Sequence, residues 1–129
     1  MVKSGGSLAG LRILVVEDVL LIADVIRDEL EDCGCSVVGP VARLQPAIAL
    51  AREEKLDGAI IDVNLNGELA FPIGDVLRER KIPYVFLTGY DNNSVFPLEY
   101  RDTPRLGKPF RSWRFIDFMT RHLKPAPRQ

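Results

Sequence analysis

The chain has 129 residues and a formal net charge of −1, with 17 basic and 18 acidic side chains interspersed along it. This length suits one domain around one core. The balanced charge argues against a nucleic-acid or membrane-surface partner. No apolar run approaches the roughly 20 residues that cross a bilayer, and the polar N-terminus lacks the apolar stretch of a secretory signal. We therefore expect a cytoplasmic protein.

Cysteine and histidine are too scarce to build a metal centre of their own. Cys33 and Cys35 are the two cysteines, and His122 is the single histidine, whereas a structural zinc site needs four such ligands. We expect the cysteines to be reduced at a helix end with at least one thiol buried, and His122 to lie at the end of the last helix.

Short apolar runs alternate with stretches of helical periodicity. The strands are predicted at residues 11–16, 36–39, 58–61, 84–87 and around 106. The helices are predicted at residues 19–32, 44–54, 69–80 and 112–123. This alternation is typical of an α/β fold with an open parallel sheet and helices on both faces.

End signals and apolar spacing add detail to the helices. Asp18 is available as the N-cap of the first helix and Gly34 as its stop, and Pro72 falls in the first turn of the third. The spacing in the last helix predicts a buried face formed by Trp113, Phe115, Ile116 and Met119.

Residues 91–105 interrupt the alternation. Asn92, Asn93, Pro97 and Pro104 fall within this stretch, and proline removes a helical hydrogen bond. We therefore predict a degenerate fourth helix. The chain as a whole should consist of a flexible lead-in at 1–10, a folded domain at 11–124 and a tail at 125–129.

Polar residues follow four of the five predicted strands at the points where the apolar runs stop. They are Glu17, Asp18, Asp62, Thr88 and Lys108. Because ligands gather at the carboxyl ends of parallel strands, these side chains should converge. Mg²⁺ prefers carboxylate oxygens, and three neighbouring carboxylates repel one another until a cation binds. The pattern predicts a magnesium site.

The same residues suit phosphoryl transfer. Asp62, alone at the end of the third strand, is the candidate nucleophile for an aspartyl phosphate. Lys108 offers a charge and Thr88 a hydroxyl to the phosphoryl oxygens, and Gly89 leaves room for the donor. Each residue also has a structural explanation, as a helix cap, a strand former or a surface turn. Their joint occurrence favours the functional interpretation.

The segments VVED, IIDVNL, FLTGY and LGKPF carry a resemblance that covers most of the chain. They are similar to the motifs of receiver domains of two-component response regulators, and IPYVFLTGY resembles single-domain receivers with a Phe-Ala-Thr-Gly-type motif. The resemblance implies a flavodoxin-like, doubly wound sheet of five parallel strands in the order 2-1-3-4-5.

The resemblance also implies a role for each motif residue. Asp62 would be the phosphoacceptor, with Thr88 and Lys108 contacting the phosphate. Asp18 and Asp62 would bind Mg²⁺ directly, Glu17 would bind it through water, and the backbone carbonyl of Asn64 would be a further ligand.

Two departures from the family pattern concern the switch and the loop after Asp62. Arg105 stands where many receivers have an aromatic residue coupled to the threonine, so Tyr90 or Tyr100 could take that part, or Arg105 itself could form a charge-assisted contact; the alternative is a solvated arginine. Asn66-Gly67 replaces a frequent proline, and the loop after Asp62 should have a different turn.

The resulting expectation is a stand-alone receiver that accepts a phosphoryl group on Asp62 from a histidine kinase or phosphotransfer protein. It would be a switch that assists its own phosphorylation and dephosphorylation rather than an enzyme, and it would signal to an unidentified protein. We expect a monomer or weak homodimer, since Trp113 and Phe118 could face either the core or a second copy.

Two other functions are left open by the sequence. A phosphate sink or a constitutive binding module would use the same domain without a switch. A phosphatase of the haloacid-dehalogenase type would also use an aspartyl nucleophile with Mg²⁺, but Asn64 stands where such enzymes place their acid.

Overall fold

The computed structural model describes residues 8–89 and 96–123. The strands are β1 (Arg12–Val16), β2 (Ser36–Val41), β3 (Gly58–Asp62), β4 (Asn64–Leu65), β5 (Glu68–Leu69), β6 (Tyr84–Thr88) and β7 (Arg105–Gly107). The helices are α1 (Leu20–Asp32), α2 (Leu44–Glu53), α3 (Phe71–Glu79) and α4 (Ser112–Leu123). None of the helices in these ranges has the length and apolar character needed to span a lipid bilayer.

The main sheet is parallel and has the order β2-β1-β3-β6-β7. This is the order 2-1-3-4-5 when only these five strands are counted, so the predicted flavodoxin-like fold is confirmed. The remaining strands, β4 and β5, form a separate antiparallel hairpin.

Two apolar cores lie on opposite faces of the sheet. Alternate residues of β1 divide between them, because successive side chains of a strand point to opposite faces. Leu14 and Val16 pack with the core under α2 and α3, whereas Ile13 and Val15 pack with the core under α1 and α4. The five residues of β3 are all buried, which explains the continuous apolar run that precedes Asp62.

The N-terminal part of the described chain is packed rather than loose. Leu8, within the expected lead-in, is buried in the core under α1 and α4, and the Gly10 N–H donates to the Gly34 carbonyl at 2.9 Å. Both cysteines are buried and neither forms a disulfide, as expected. Cys35 donates its thiol to the Leu8 carbonyl at 3.3 Å, and burial raises the pKa of Cys35 to about 11.

The second strand is longer than predicted. Instead of ending at Gly39, β2 continues to Val41, which pairs with Val16 beyond an irregularity in the register. Gly39 has φ of 100°, a conformation that glycine adopts without steric cost. This residue absorbs the irregularity and allows the strand to resume.

The helix predictions need three corrections. Val19, not Asp18, occupies the N-cap of α1, and no side chain in the described part of the chain caps it. The third helix begins at Phe71 rather than at 69, because the preceding residues form the hairpin. Trp113 is not buried: 67% of its surface is exposed, since α4 packs through Phe115 and Met119.

The segment between Phe96 and β7 contains one 3₁₀ turn, at Leu98–Tyr100, in place of a full helix. Phe96 and Tyr100 are buried and pack against the rings of Phe71 and Phe86 at centroid distances of 5.2–5.7 Å. These ring contacts hold the segment on the face covered by α3. The predicted degenerate helix is confirmed for residues 96–105; residues 91–95 lie outside the described ranges.

Tyr100 is also anchored by polar contacts to α3. Its hydroxyl donates to the Phe71 carbonyl at 3.2 Å and contacts the Asp75 carboxylate, while the Arg78 guanidinium lies 5.1 Å from its ring centroid. Gly74 makes this packing possible, because a Cβ there would lie 2.9 Å from two atoms of the tyrosine ring and hydroxyl.

Replacing Gly74 by alanine should therefore destabilise the protein. We expect Gly74→Ala to lower the free energy of unfolding by about 1–2 kcal/mol, because the overlap with the fixed Tyr100 side chain outweighs alanine's higher helix propensity. Urea denaturation measures the change. Gly107→Ala is the control, because a Cβ there meets no described atom within 4 Å. A gain in stability for Gly74→Ala would show that Tyr100 is not fixed.

Candidate functional site

The predicted polar residues do lie together at the carboxyl edge of the sheet. Glu17 and Asp18 follow β1, whereas Asp62 and Thr88 are the last residues of β3 and β6. Lys108 follows β7. The sequence places these residues far apart, and the parallel strand order brings them to one edge.

The three carboxylates form a compact cluster. One oxygen from each of Glu17, Asp18 and Asp62 lies within 4.8 Å of the others. Glu17 is 1% exposed and Asp62 4% exposed. Several hard oxygen donors in so small a volume suit a divalent cation such as Mg²⁺.

Lys108 lies between two of these carboxylates. Its Nζ is 3.0 Å from Asp62 Oδ2 and 3.2 Å from Glu17 Oε1. The backbone N–H of Lys108 donates to the Thr88 carbonyl at 2.8 Å, which fixes these two residues relative to each other. The ammonium group partly neutralises the cluster and leaves it with an excess of negative charge.

Burial controls the ionisation of the cluster. Desolvation raises the pKa of Glu17 from 4.5 to about 7, although the Val19 N–H, which donates to Glu17 Oε2 at 3.0 Å, opposes the rise. Desolvation also raises the pKa of Asp62, and the hydrogen bond and charge of Lys108 lower it again. A divalent cation would favour the ionised form of both carboxyls.

The hairpin that follows Asp62 orients Asn64. The Asn64 N–H donates to Asp62 Oδ1 at 3.3 Å, and its side-chain oxygen accepts the Gly67 N–H at 2.7 Å. The Ala70 N–H donates to the Val63 carbonyl. Because hydrogen-bonded pairs alternate in an antiparallel ladder, the Asn64 backbone faces away from β5. The Asn64 N–H is thus directed to the Asp62 carboxylate rather than to the hairpin ladder.

The sequence analysis expected an unusual turn after Asp62 but did not predict the hairpin. Asn66 and Gly67 have φ of 55° and 95°, and they join the paired residues of β4 and β5. An Asn-Gly dipeptide in a two-residue loop is the strongest short-range signal for a hairpin. The sequence therefore contained the necessary information.

The residues proposed for the switch have different surroundings. Gly89 is exposed, and a Cβ there would meet no described atom within 4 Å. Tyr90 lies outside the described residues. The Arg105 guanidinium lies 3.7 Å from the ring centroid of Phe96 and donates to the Arg101 carbonyl at 2.7 Å. Arg105 is thus engaged by its own chain rather than simply solvated.

A polar cleft of about 600 Å³ adjoins the carboxylates. It lies between the ends of β1 and β2 and the hairpin. The lining residues are Asp18, Ala42, Arg43, Leu65, Asn66 and Glu68. Arg43 was not predicted as a site residue from the sequence, because no motif marks it and only the fold brings it to the cleft that Asp18 also lines.

Comparisons with known proteins find relatives of this chain among curated proteins and solved structures. No protein-family model matches the chain. LytT of Bacillus anthracis, a sensory transduction protein, is 26% identical over 122 residues, which are 92% of this chain and 50% of LytT. The chain thus spans about half the length of LytT and of two similar curated relatives.

Three solved structures are similar over most of the chain. SdrG from Sphingomonas melonis Fr1 is 38% identical, with a TM-score of 0.75 over 85% of this chain and 93% of SdrG. The response regulator PhyR from Brucella abortus is 25% identical, with a TM-score of 0.77 over 92% of this chain and 51% of PhyR.

The third structure is the receiver domain of the sensor histidine kinase PA1611 from Pseudomonas aeruginosa PAO1. It is 25% identical, with a TM-score of 0.76 over 89% of this chain and 98% of that domain, and it holds a magnesium ion in its active-site cleft. The sheet order, the carboxylate cluster and these relatives agree, and the chain belongs to the family of response regulator receiver domains.

Proposed function

We propose that this receiver domain accepts a phosphoryl group on Asp62 from a histidine kinase or phosphotransfer protein, with Mg²⁺ bound, and signals through altered protein binding. The observation that carries the proposal is the position of Asp62. Asp62 is the last residue of the central strand β3. Its carboxylate pairs with Lys108 at 3.0 Å and has an oxygen within 4.8 Å of an oxygen of each of two further carboxylates.

The carboxylates would divide the tasks of binding the ion and attacking the phosphorus. Asp18 and Asp62 would hold Mg²⁺ directly, Glu17 through water, and Asn64 through its backbone carbonyl. Mg²⁺, when bound, neutralises the phosphoryl oxygens during transfer. The magnesium ion in the related PA1611 receiver supports this assignment.

Transfer would proceed by displacement at phosphorus. A carboxylate oxygen of Asp62 attacks the phosphorus atom, and the bond to the donor's leaving group breaks. Lys108, which pairs with the unphosphorylated Asp62 carboxylate, would transfer its ion pair to a phosphoryl oxygen. The Thr88 hydroxyl would donate to another oxygen of the group, and the backbone hydrogen bond between Lys108 and Thr88 supports the proposal that the two residues act together.

Movement of these two residues would change the surface. A phosphoryl group that draws Thr88 and Lys108 inward would bias the segment from Gly89 to Arg105 between two arrangements. The output surface would then include this segment and α4, where Leu98 and Trp113 are 78% and 67% exposed. Exposed side chains of this size suit a protein partner.

Phosphorylation should depend on Asp62. We expect Asp62→Asn to abolish labelling by a phosphorylated histidine kinase or by radiolabelled acetyl phosphate, because an amide is not a nucleophile toward phosphorus at neutral pH. Asp102→Asn, an equal change of charge at an exposed residue, should leave labelling intact. Undiminished labelling of Asp62→Asn would refute the assignment, and sustained turnover of p-nitrophenyl phosphate by the wild type would favour a phosphatase.

When no metal is bound, the free energy of unfolding should fall as the pH rises. Between the ordinary pKa of 4.5 and the folded value of about 7, the unfolded chain releases the Glu17 proton while the folded chain retains it. Stability therefore falls as pH rises through this window, by up to about 3 kcal/mol. Mg²⁺ binds the ionised carboxylates, so its stabilising effect should grow over the same window.

Urea denaturation in EDTA and in excess Mg²⁺, at about pH 5 and about pH 8, measures both effects. Glu17→Gln is the control, because it removes the titrating group and should flatten the profile in EDTA. A wild-type profile in EDTA that rises over this window would contradict the raised pKa of Glu17. Equal stabilisation by Mg²⁺ at both pH values would argue that the ion binds elsewhere.

A further inference from the structure

Two clefts lined by residues of the described ranges border the carboxylate cluster, and they differ in polarity. One lies beside Lys108 and is lined mainly by apolar side chains, including Leu21, Val25 and Phe110. The other is the polar cleft of about 600 Å³ beside Asp18, which contains Arg43. A donor that places its phosphoryl group at Asp62 can extend its remaining part into either of these spaces.

The two cations of this region lie on opposite sides of the cluster. Lys108 follows β7, and Arg43 follows β2, and these are the two edge strands of the main sheet. Lys108 is paired with Glu17 and Asp62. The Arg43 guanidinium forms no hydrogen bond or ion pair with residues 8–89 or 96–123, so it is available to an anionic ligand in the polar cleft.

We propose that Arg43 is a specificity-determining residue that favours small acyl phosphate donors over donors with a neutral leaving group. The inference rests on the proposed phosphorylation of Asp62. The polar cleft would hold the acyl part of the donor, and the Arg43 guanidinium would bind the carboxylate that forms as the donor is cleaved.

The charge changes of the reaction explain why Arg43 would act on one donor class. When an Asp62 oxygen attacks acetyl phosphate, the new O–P bond forms and the acyl O–P bond breaks. The electron pair of the broken bond remains on acetate, which leaves as an anion without needing a proton. A guanidinium group matches this carboxylate in shape and charge, and its effect increases as charge develops.

The apolar cleft could not serve this leaving group equally well. Moving a carboxylate away from water without a polar partner is costly, and Leu21, Val25 and Phe110 offer none. Lys108 also lines this cleft, but its ammonium group is already paired with Glu17 and Asp62. Phosphoramidate provides the contrast, because its nitrogen leaves as uncharged ammonia, carrying the protons that it already bears. Arg43 would gain no new charge pair during that reaction.

Removing the charge of Glu68 should change the donor preference in the opposite direction to removing the charge of Arg43, which provides an independent test. This exposed carboxylate lines the same polar cleft as Arg43 and would repel the departing acetate. Removal of its charge should therefore favour the reaction that removal of the Arg43 charge disfavours. A purely structural role for either residue would not produce opposite changes in donor preference.

The experiment compares initial rates of Asp62 phosphorylation by acetyl phosphate and by phosphoramidate, followed by intact-protein mass spectrometry at saturating Mg²⁺. We expect Arg43→Ala to slow the reaction with acetyl phosphate about fivefold, the size of one partly screened charge pair, and to change the reaction with phosphoramidate less than about twofold. Glu68→Gln should raise the rate with acetyl phosphate about twofold. The effects should shrink in high salt.

Arg52→Ala is the matched control. Arg52 is an exposed arginine in the last turn of α2, outside the lining of the polar cleft, and its loss changes the net charge equally. It should leave the ratio of the two rates unchanged. An unchanged ratio in Arg43→Ala, whether both rates fall or neither does, would overturn the inference while leaving the phosphorylation of Asp62 intact. Failure of both donors to label a wild type that a phosphorylated histidine kinase does label would also overturn the inference, whereas failure of all three donors would overturn the proposed function itself.

Discussion

The ion pairs of Lys108 with Glu17 and Asp62 are the interaction on which the site depends. Two carboxylates that are almost completely buried would strongly oppose each other's ionisation, and the lysine between them relieves part of that opposition. The lysine can stand there only because β7 ends beside β6, at the edge of a sheet whose central strand carries Asp62. The remaining negative charge makes the site receptive to a divalent cation rather than to another protein side chain.

The sheet fixes the positions of the strand ends at this edge, and the connecting segments determine which further side chains lie around them. β1, β3 and β6 are buried between the two apolar cores, so the positions at which they end are well determined. The segments that connect the strands have their own conformations. The hairpin after β3 orients Asn64, and Arg43 lies in the turn after β2. The segment before β7 replaces a helix with an aromatic cluster in which Arg105 covers Phe96. Loops that vary on a rigid sheet are where binding residues are usually found.

The strands and helices could be predicted well because parallel strands buried on both faces have continuous apolar sequences, and because helical spacing marks α2 and α4 clearly. The strand-end residues followed from the same pattern. Exposure was harder to predict. Trp113 has the spacing of a core residue, yet the first three residues of α4, Ser112, Trp113 and Arg114, are all exposed. Long-range proximity, as between Arg43 and Asp18, depends on strand order and leaves no local signal.

The hydrogen bond from the Lys108 N–H to the Thr88 carbonyl limits how such a site could diversify. Under the proposed function, Thr88 and Lys108 would contact the same phosphoryl group, and they are joined through the backbones of neighbouring strands, so a shift of either one moves the other. Substitutions that alter the lifetime of the phosphorylated state cannot readily act through this pair without disturbing the transfer step as well. Kinetic variation among relatives would therefore accumulate at the rim, in the turns after β2 and β3, where a side chain can change without moving a strand.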